Sequence, residues 1–172
     1  ELLRLAAERG FVIIEDDYEF ELTFRGAPSP SLKSLDRDGS VIYVGSFSKS
    51  LFPGLRLGYL VAPETFIQEA RRLRATVLRH PPGLIQRTAA YFLSLGHYDA
   101  QINRMRKSFQ RRRSAAQTAI ETTGLEIAGC LESGGSSFWM KAPSGVNTTD
   151  LARNLHARGV VIEPGHPFFT DS

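Results

Sequence analysis

Cysteine is almost absent from this chain: Cys130 is the only one in 172 residues. A single thiol excludes an internal disulfide and a cysteine-cluster metal site, and it fits the reducing cytosol as the compartment. Long apolar runs are missing too. None approaches the ~20 residues of a membrane span, and no basic-then-apolar signal peptide opens the chain. Charge of one sign is equally lacking. The 21 Lys and Arg against 18 Asp and Glu leave a formal +3, too small a surplus to argue by itself for a nucleic-acid partner. His80, His97, His156 and His166 show no metal-ligand spacing, and there are no internal repeats or low-complexity tracts.

What is present is 42% hydrophobic content, enough for a core at a length suited to one domain or slightly more. The chain opens on Glu1 inside a helical pattern and stops just after Pro167-Phe168-Phe169, so both ends read as cuts in a longer polypeptide. Glu1 to Arg9 reads as a helix end closed by Gly10. Phe11-Val12-Ile13-Ile14 is a continuous apolar run, which suits a strand covered on both faces in a parallel sheet. A proline-punctuated connection at Gly26 to Pro30 and a helical turn at Ser31 to Leu35 lead to a second strand, Val41 to Val44. The interval from Asp17 to Ser40 is long enough for a parallel crossover. Leu57 to Val61 follows by a short loop, as an antiparallel return.

From Pro63 the pattern turns helical: Glu64 to Leu78, Leu84 to Leu95, and a long helix from His97 to Thr122 with Ile102, Met105, Phe109, Ala116 and Ile120 on one face. Gly124 closes it. Then come a strand at Leu125 to Ala128, a glycine–serine turn at Ser133 to Ser137, a strand at Phe138 to Met140, a helix from Thr149 to Arg158 closed by Gly159, and an apolar Val160-Val161-Ile162. The fold class is α/β, with an α+β second lobe hinged on the long helix. Residues 1–110 are expected to belong to the first domain and 111–172 to the second.

The stretch that organises the chain is Gly45-Ser46-Phe47-Ser48-Lys49-Ser50-Leu51-Phe52-Pro53-Gly54-Leu55-Arg56. A lysine in a loop is normally a solvated charge. Here small neighbours let a ligand approach, and hydroxyls with an arginine offer an anion site. With parallel first and second strands, Asp16 to Tyr18, Ser46 to Lys49 and Arg56 fall on one sheet edge, where open α/β sheets bind ligands. In extended chain Asp16 and Tyr18 share a face while Asp17 points away. A carboxylate paired with a phenol suits an organic ligand better than the magnesium site that Glu15, Asp16, Asp17 and Glu19 otherwise suggest.

Three other readings are weaker. Ser46-Phe47-Ser48-Lys49 matches the Ser-x-x-Lys of penicillin-interacting acyl transferases, but no Lys-Thr-Gly partner exists and Pro53-Gly54 would stop the required helix. The run Arg104, Arg106, Lys107, Arg111, Arg112, Arg113 is expected to be the solvated side of an amphipathic helix. Phe138 and Trp139 are expected in a core. One ligand accounts for the remaining six residues. A lysine amine holds an aldehyde as a Schiff base, and pyridoxal 5'-phosphate further needs a carboxylate at its ring nitrogen, a donor at its phenolic oxygen and phosphate ligands. Lys49, Asp16, Tyr18, Ser46, Ser48 and Arg56 are of those types.

At these residues the chain resembles the fold-type I pyridoxal-phosphate-dependent aminotransferases, and more closely the aminotransferase-like domain of MocR-type regulators of the GntR superfamily. The matching motifs are Ile14 to Glu19, Val44 to Tyr59, Gly96-His97-Tyr98-Asp99 with Arg104-Met105-Arg106, and Arg158-Gly159-Val160 leading to Glu163 to Phe169. The first two, with thirty-three positions from Asp16 to Lys49, are the specific ones. The resemblance implies a large cofactor domain followed by the start of a small domain. It also implies amino-group transfer between an amino acid and a 2-oxo acid through a Lys49 Schiff base, or else sensing of an amine effector for a DNA-binding domain that lies outside this stretch. Under it, Asp16 keeps the ring nitrogen protonated, Tyr18 bonds the phenolic oxygen, and Ser46, Ser48 and Arg56 hold phosphate. A cytoplasmic homodimer is implied as well. The family's glycine-rich phosphate loop, its ring-stacking aromatic and its substrate-carboxylate arginine fall outside these residues, so this stretch alone is expected to be a poor enzyme.

Overall fold

The computed structural model describes residues 1–22, 29–129 and 135–170. Residues 26–28 of the proline-punctuated connection, Cys130 and residues 133–134 of the glycine–serine turn lie outside the described residues. The chain divides into two compact units, one of Glu1–Arg112 with Leu131–Ser136, the other of Arg113–Cys130 with Ser137–Ser172.

In the first unit, helix α1 (Leu2–Arg9) ends at Gly10, whose left-handed backbone returns its amide to the Ala6 carbonyl. Strand β1 (Ile13–Asp17) pairs in parallel with β2 (Val41–Ser46), and β2 pairs antiparallel with β3 (Gly58–Val61). The expected topology is present, but β1 begins two residues later than the apolar run and takes in three acidic residues. They are tolerated because two have built-in donors. Glu15 accepts the amides of Leu32 and Lys33 at 2.7 and 2.9 Å, and Asp17 accepts the Tyr43 hydroxyl at 3.2 Å. Ile14, on the opposite face, is 71% exposed. Within this unit that face of the strand is open rather than covered.

Helix α2 (Leu32–Leu35) is the single turn before β2, capped by the Ser31 hydroxyl on the Ser34 amide. After β3 come α3 (Glu64–Val77), α4 (Gly83–Ser94) and the long α5 (His97–Thr123). Ile102 and Ile120 of α5 are buried, while Met105, Phe109 and Ala116 are half-buried, as the apolar stripe predicts. The basic run divides. Arg104, Lys107, Arg111 and Arg112 are exposed, but Arg106 turns inward, its Nε donating to the Glu21 carbonyl at 2.6 Å. Arg113 lies 4.3 Å from the Phe138 ring centroid and donates to the Ser137 carbonyl. The expectation of one solvated face therefore fails at these two positions, because both reach acceptors or rings far along the chain.

The second unit holds a two-stranded antiparallel pair, β4 (Glu126–Ile127) with β5 (Met140–Lys141), and helix α6 (Thr148–His156). Asn147 caps α6 through the amides of Thr149 and Asp150. Trp139 is 46% exposed and packs edge-on against Phe168, so it is a surface aromatic cluster and not a core residue. The apolar run Val160 to Ile162 is not a strand. Hydropathy cannot supply the partner backbone that a ladder needs, and none pairs with it among the described residues. No described helix is long and apolar enough to cross a membrane.

Candidate active site at the sheet edge

The register places three segments together. Asp17 of β1 stands opposite Gly45, and Ser46 of β2 stands opposite Gly58, so the end of β1, the end of β2 and the approach to β3 share one edge. Two glycines permit the close pairing. A Cβ on Gly45 would fall 2.2 Å from the Tyr59 ring, and one on Gly58 would fall 2.9 Å from the Gly45 carbonyl oxygen. Beyond Ser46 the Phe47 amide still donates to the Leu57 carbonyl, and a turn closed by the Leu51 amide on the Phe47 carbonyl carries Lys49. The chain passes straight from strand to turn, so the helix that a Ser-x-x-Lys acyl transferase requires is not there.

Lys49 Nζ lies 5.9 Å from the Tyr18 ring centroid and 3.6 Å from Glu19 Oε1, with 46% of the side chain exposed. Ser46 Oγ accepts the Ser48 amide at 3.1 Å, fixing the first bend of the turn. Arg56 adopts a left-handed conformation, φ 48°. For a non-glycine residue this is strain of roughly 1–3 kcal/mol, the kind found at binding sites. Asp16 and Arg56 are exposed and Tyr18 is half-exposed. Among the described residues none of their side chains makes a hydrogen bond or ion pair within the chain. Their neighbours Glu15 and Asp17 point the other way, into the protein. Burial lifts the Asp17 carboxyl above its usual range against the opposing Tyr43 hydroxyl, and the charges of Glu15 and Asp16 add to the rise. Asp16, Tyr18, Ser46, Ser48, Lys49 and Arg56 thus lie at one edge, and the acidic residues that serve structure are separate from the one left free.

Support from below was not legible in the sequence. Tyr43, Phe47, Tyr59 and Tyr98 form a chain of ring contacts, with centroids 6.0, 5.4 and 6.0 Å apart in turn along Tyr43, Tyr59, Phe47 and Tyr98. The Tyr98 hydroxyl donates to Glu21, a carboxylate only 3% exposed. Ser50, next to Lys49, is fully buried, and its hydroxyl has no hydrogen-bond partner among the described residues. The motif Gly96 to Asp99 flagged Tyr98, but nothing local to it pointed to Glu21.

Burial raises both phenols above the ordinary tyrosine range. For Tyr43 the neighbouring Tyr59 and then Asp17 add to the rise, and for Tyr98 Glu21 adds to it while Ser50 opposes. A folded-state value above the unfolded one gives stability that is present below about pH 10 and lost as pH rises through the folded value. The midpoint of thermal unfolding is therefore expected to hold steady to about pH 10 and fall above it. A parallel decline in Tyr43→Phe/Tyr98→Phe would show that other groups govern alkaline unfolding.

A lysine on the turn after a parallel strand thus shares one edge with a free carboxylate one strand over and a strained arginine. The chain belongs to the aminotransferase class I and II family, whose model matches residues 1–172. It is 63% identical over 97% of its length to the HTH-type transcriptional regulator TauR of Rhodobacter capsulatus, covering 35% of that protein. The structure of LysN, the α-aminoadipate aminotransferase of Thermus thermophilus complexed with N-(5'-phosphopyridoxyl)-L-leucine, superimposes with a TM-score of 0.87 at 33% identity, over 98% of this chain and 44% of that one. The Pyrococcus horikoshii kynurenine aminotransferase gives 0.86 at 30% identity, over 98% and 42%. The chain thus spans about a third of the regulator and under half of the enzymes. The fold is that of the fold-type I aminotransferases.

Proposed function

We propose that this chain is the pyridoxal-phosphate-binding, amine-sensing part of an HTH-type transcriptional regulator, with Lys49 as the covalent anchor. The convergence of Lys49, Tyr18 and the unpartnered Asp16 and Arg56 at one sheet edge carries the cofactor reading, since these groups fit the aldehyde, phenol, pyridine and phosphate of one molecule. Bound there, the cofactor supplies an aldehyde that captures amines and a ring that draws electrons from the carbon bearing them. The Lys49 amine holds the aldehyde carbon and exchanges a proton with the ligand. Asp16 keeps a proton at the ring nitrogen, the Tyr18 hydroxyl donates to the phenolic oxygen, and Ser46, Ser48 and Arg56 bind phosphate oxygens. Residues 1–110 serve as the second half of the large domain and 111–172 as the start of the small one, in a cytoplasmic homodimer.

The 63% identity to a regulator, against 30–33% to the two enzymes, favours sensing over turnover. Amino transfer to a 2-oxo acid is the second reading, favoured by the same lysine and carboxylate. Two measurements on the intact protein separate them. Addition of cofactor and an amine is expected to shift DNA binding without accumulating a 2-oxo acid. Steady 2-oxo acid production with indifferent DNA binding would establish the transaminase instead.

A further inference from the structure

Glu19 is the acidic side chain on which Lys49 rests, and it has a second task. Its carboxylate is less exposed than its partner, 19% against 46%. The same carboxylate accepts the Ser136 amide at 3.2 Å and the Ser136 hydroxyl at 2.5 Å, from 117 residues further along the chain. The Gly135 amide donates to the Leu22 carbonyl at 3.2 Å, laying this segment along the turn that follows Glu19. One carboxylate therefore holds both the candidate anchor amine and a remote segment.

We propose that Glu19 is a positioning residue that couples the charge on Lys49 to the order of the Gly135–Ser136 segment. A carboxylate largely withdrawn from water is stable when a cation and good donors surround it. With the Lys49 ammonium in place, Glu19 keeps its inward position and Ser136 with it. When that cation is removed, the carboxylate regains more by turning to solvent, and the hold on Ser136 weakens. The inference rests on the cofactor reading only for the event that withdraws the amine in the working protein: addition of the amine to the cofactor aldehyde with loss of water. The ion pair itself is a property of the chain without cofactor.

Hydrogen–deuterium exchange of the peptide covering Gly135–Ser136, followed in the protein with no cofactor added, tests the coupling. Lys49→Met keeps length and removes charge at an exposed position, so folding is preserved. It is expected to speed exchange about two- to five-fold, the span a partly exposed ion pair supports, and Glu19→Gln is expected to do the same. Exchange at the wild-type rate in Lys49→Met would overturn the proposal, leaving Glu19 as a plain cap for Ser136. Borohydride trapping decides the cofactor reading independently. Label on another lysine with faster exchange in Lys49→Met removes the cofactor role and keeps the coupling, and label on Lys49 with unchanged exchange does the reverse.

Discussion

Lys49→Ala is expected to reduce covalent capture of pyridoxal phosphate to background. In the unsubstituted protein, borohydride reduction followed by peptide mapping should place the label on Lys49. The reasoning is chemical before it is structural. A stable bond to an aldehyde needs a primary amine, and alanine has none, while the hydroxyls of Ser46 and Ser48, the Tyr18 phenol and the Arg56 guanidinium cannot replace it. Those groups remain in the variant, since Lys49 lies on a turn held by backbone bonds from Leu51 to Phe47 and from Phe47 to Leu57 that the substitution leaves intact. Reversible, phosphate-dependent binding should therefore survive while the covalent bond disappears. Label appearing on Lys33, Lys107 or Lys141 instead would show that the sheet edge is not where the aldehyde is held. Addition of a free primary amine that restores amine-dependent spectral change in Lys49→Ala would strengthen the assignment, because it returns only the function that was deleted.

The parts of the fold that could be read from sequence are those governed by neighbours along the chain. The β2–turn–β3 unit is legible because its glycines, hydroxyls, proline and apolar runs each act locally. The long helix is legible from a stripe that begins at Ile102 and ends at Ile120. β1 was displaced from its apolar run because pairing, not hydropathy, fixed its limits: the Ile13 amide meets the Ser40 carbonyl, and the ladder proceeds from there into the acidic residues. Val160 to Ile162 has the composition of a strand and no ladder partner among the described residues. The candidate site shows the same division. Its chemistry was readable as residue types at one predicted edge, but the contacts that shape it were not. Glu21 meets Tyr98 from 77 residues away and Glu19 meets Ser136 from 117, and no periodicity encodes such pairs.

Asp36 is the position where a single change should cost the fold most. Its side chain is 1% exposed and takes bonds from Lys33 Nζ at 2.9 Å, the Ser40 and Val41 amides at 3.0 Å each, and the Ser40 hydroxyl at 3.2 Å. Lys33 also donates to the Val41 carbonyl at 2.8 Å. One carboxylate thus fixes both the end of α2 and the first residue of β2, and β2 is the strand that delivers Ser46 and Lys49 to the sheet edge. Burial alone would raise the Asp36 carboxyl, but the Lys33 ammonium and the two amides outweigh it and hold the group well below the usual carboxylate range. Removing the carboxylate leaves two amides without their acceptor and a largely buried ammonium without its counter-charge, with only the Val41 carbonyl still accepting from it. Asp36→Ala is therefore expected to lower unfolding free energy by about 3–5 kcal/mol, a large share of the roughly 5–15 kcal/mol a domain possesses. Urea unfolding at neutral pH measures it. Because the folded-state value is depressed, this stability is present above the unfolded-state value near 3.9 and is lost as pH falls below it toward the folded value. Asp36→Asn keeps the shape and removes the titration, so it should be weaker than the native chain at pH 7 yet lose less on acidification from about pH 5 to pH 3. An Asn variant that follows the native acid profile would show that the β2 pin is not the group acid unlocks.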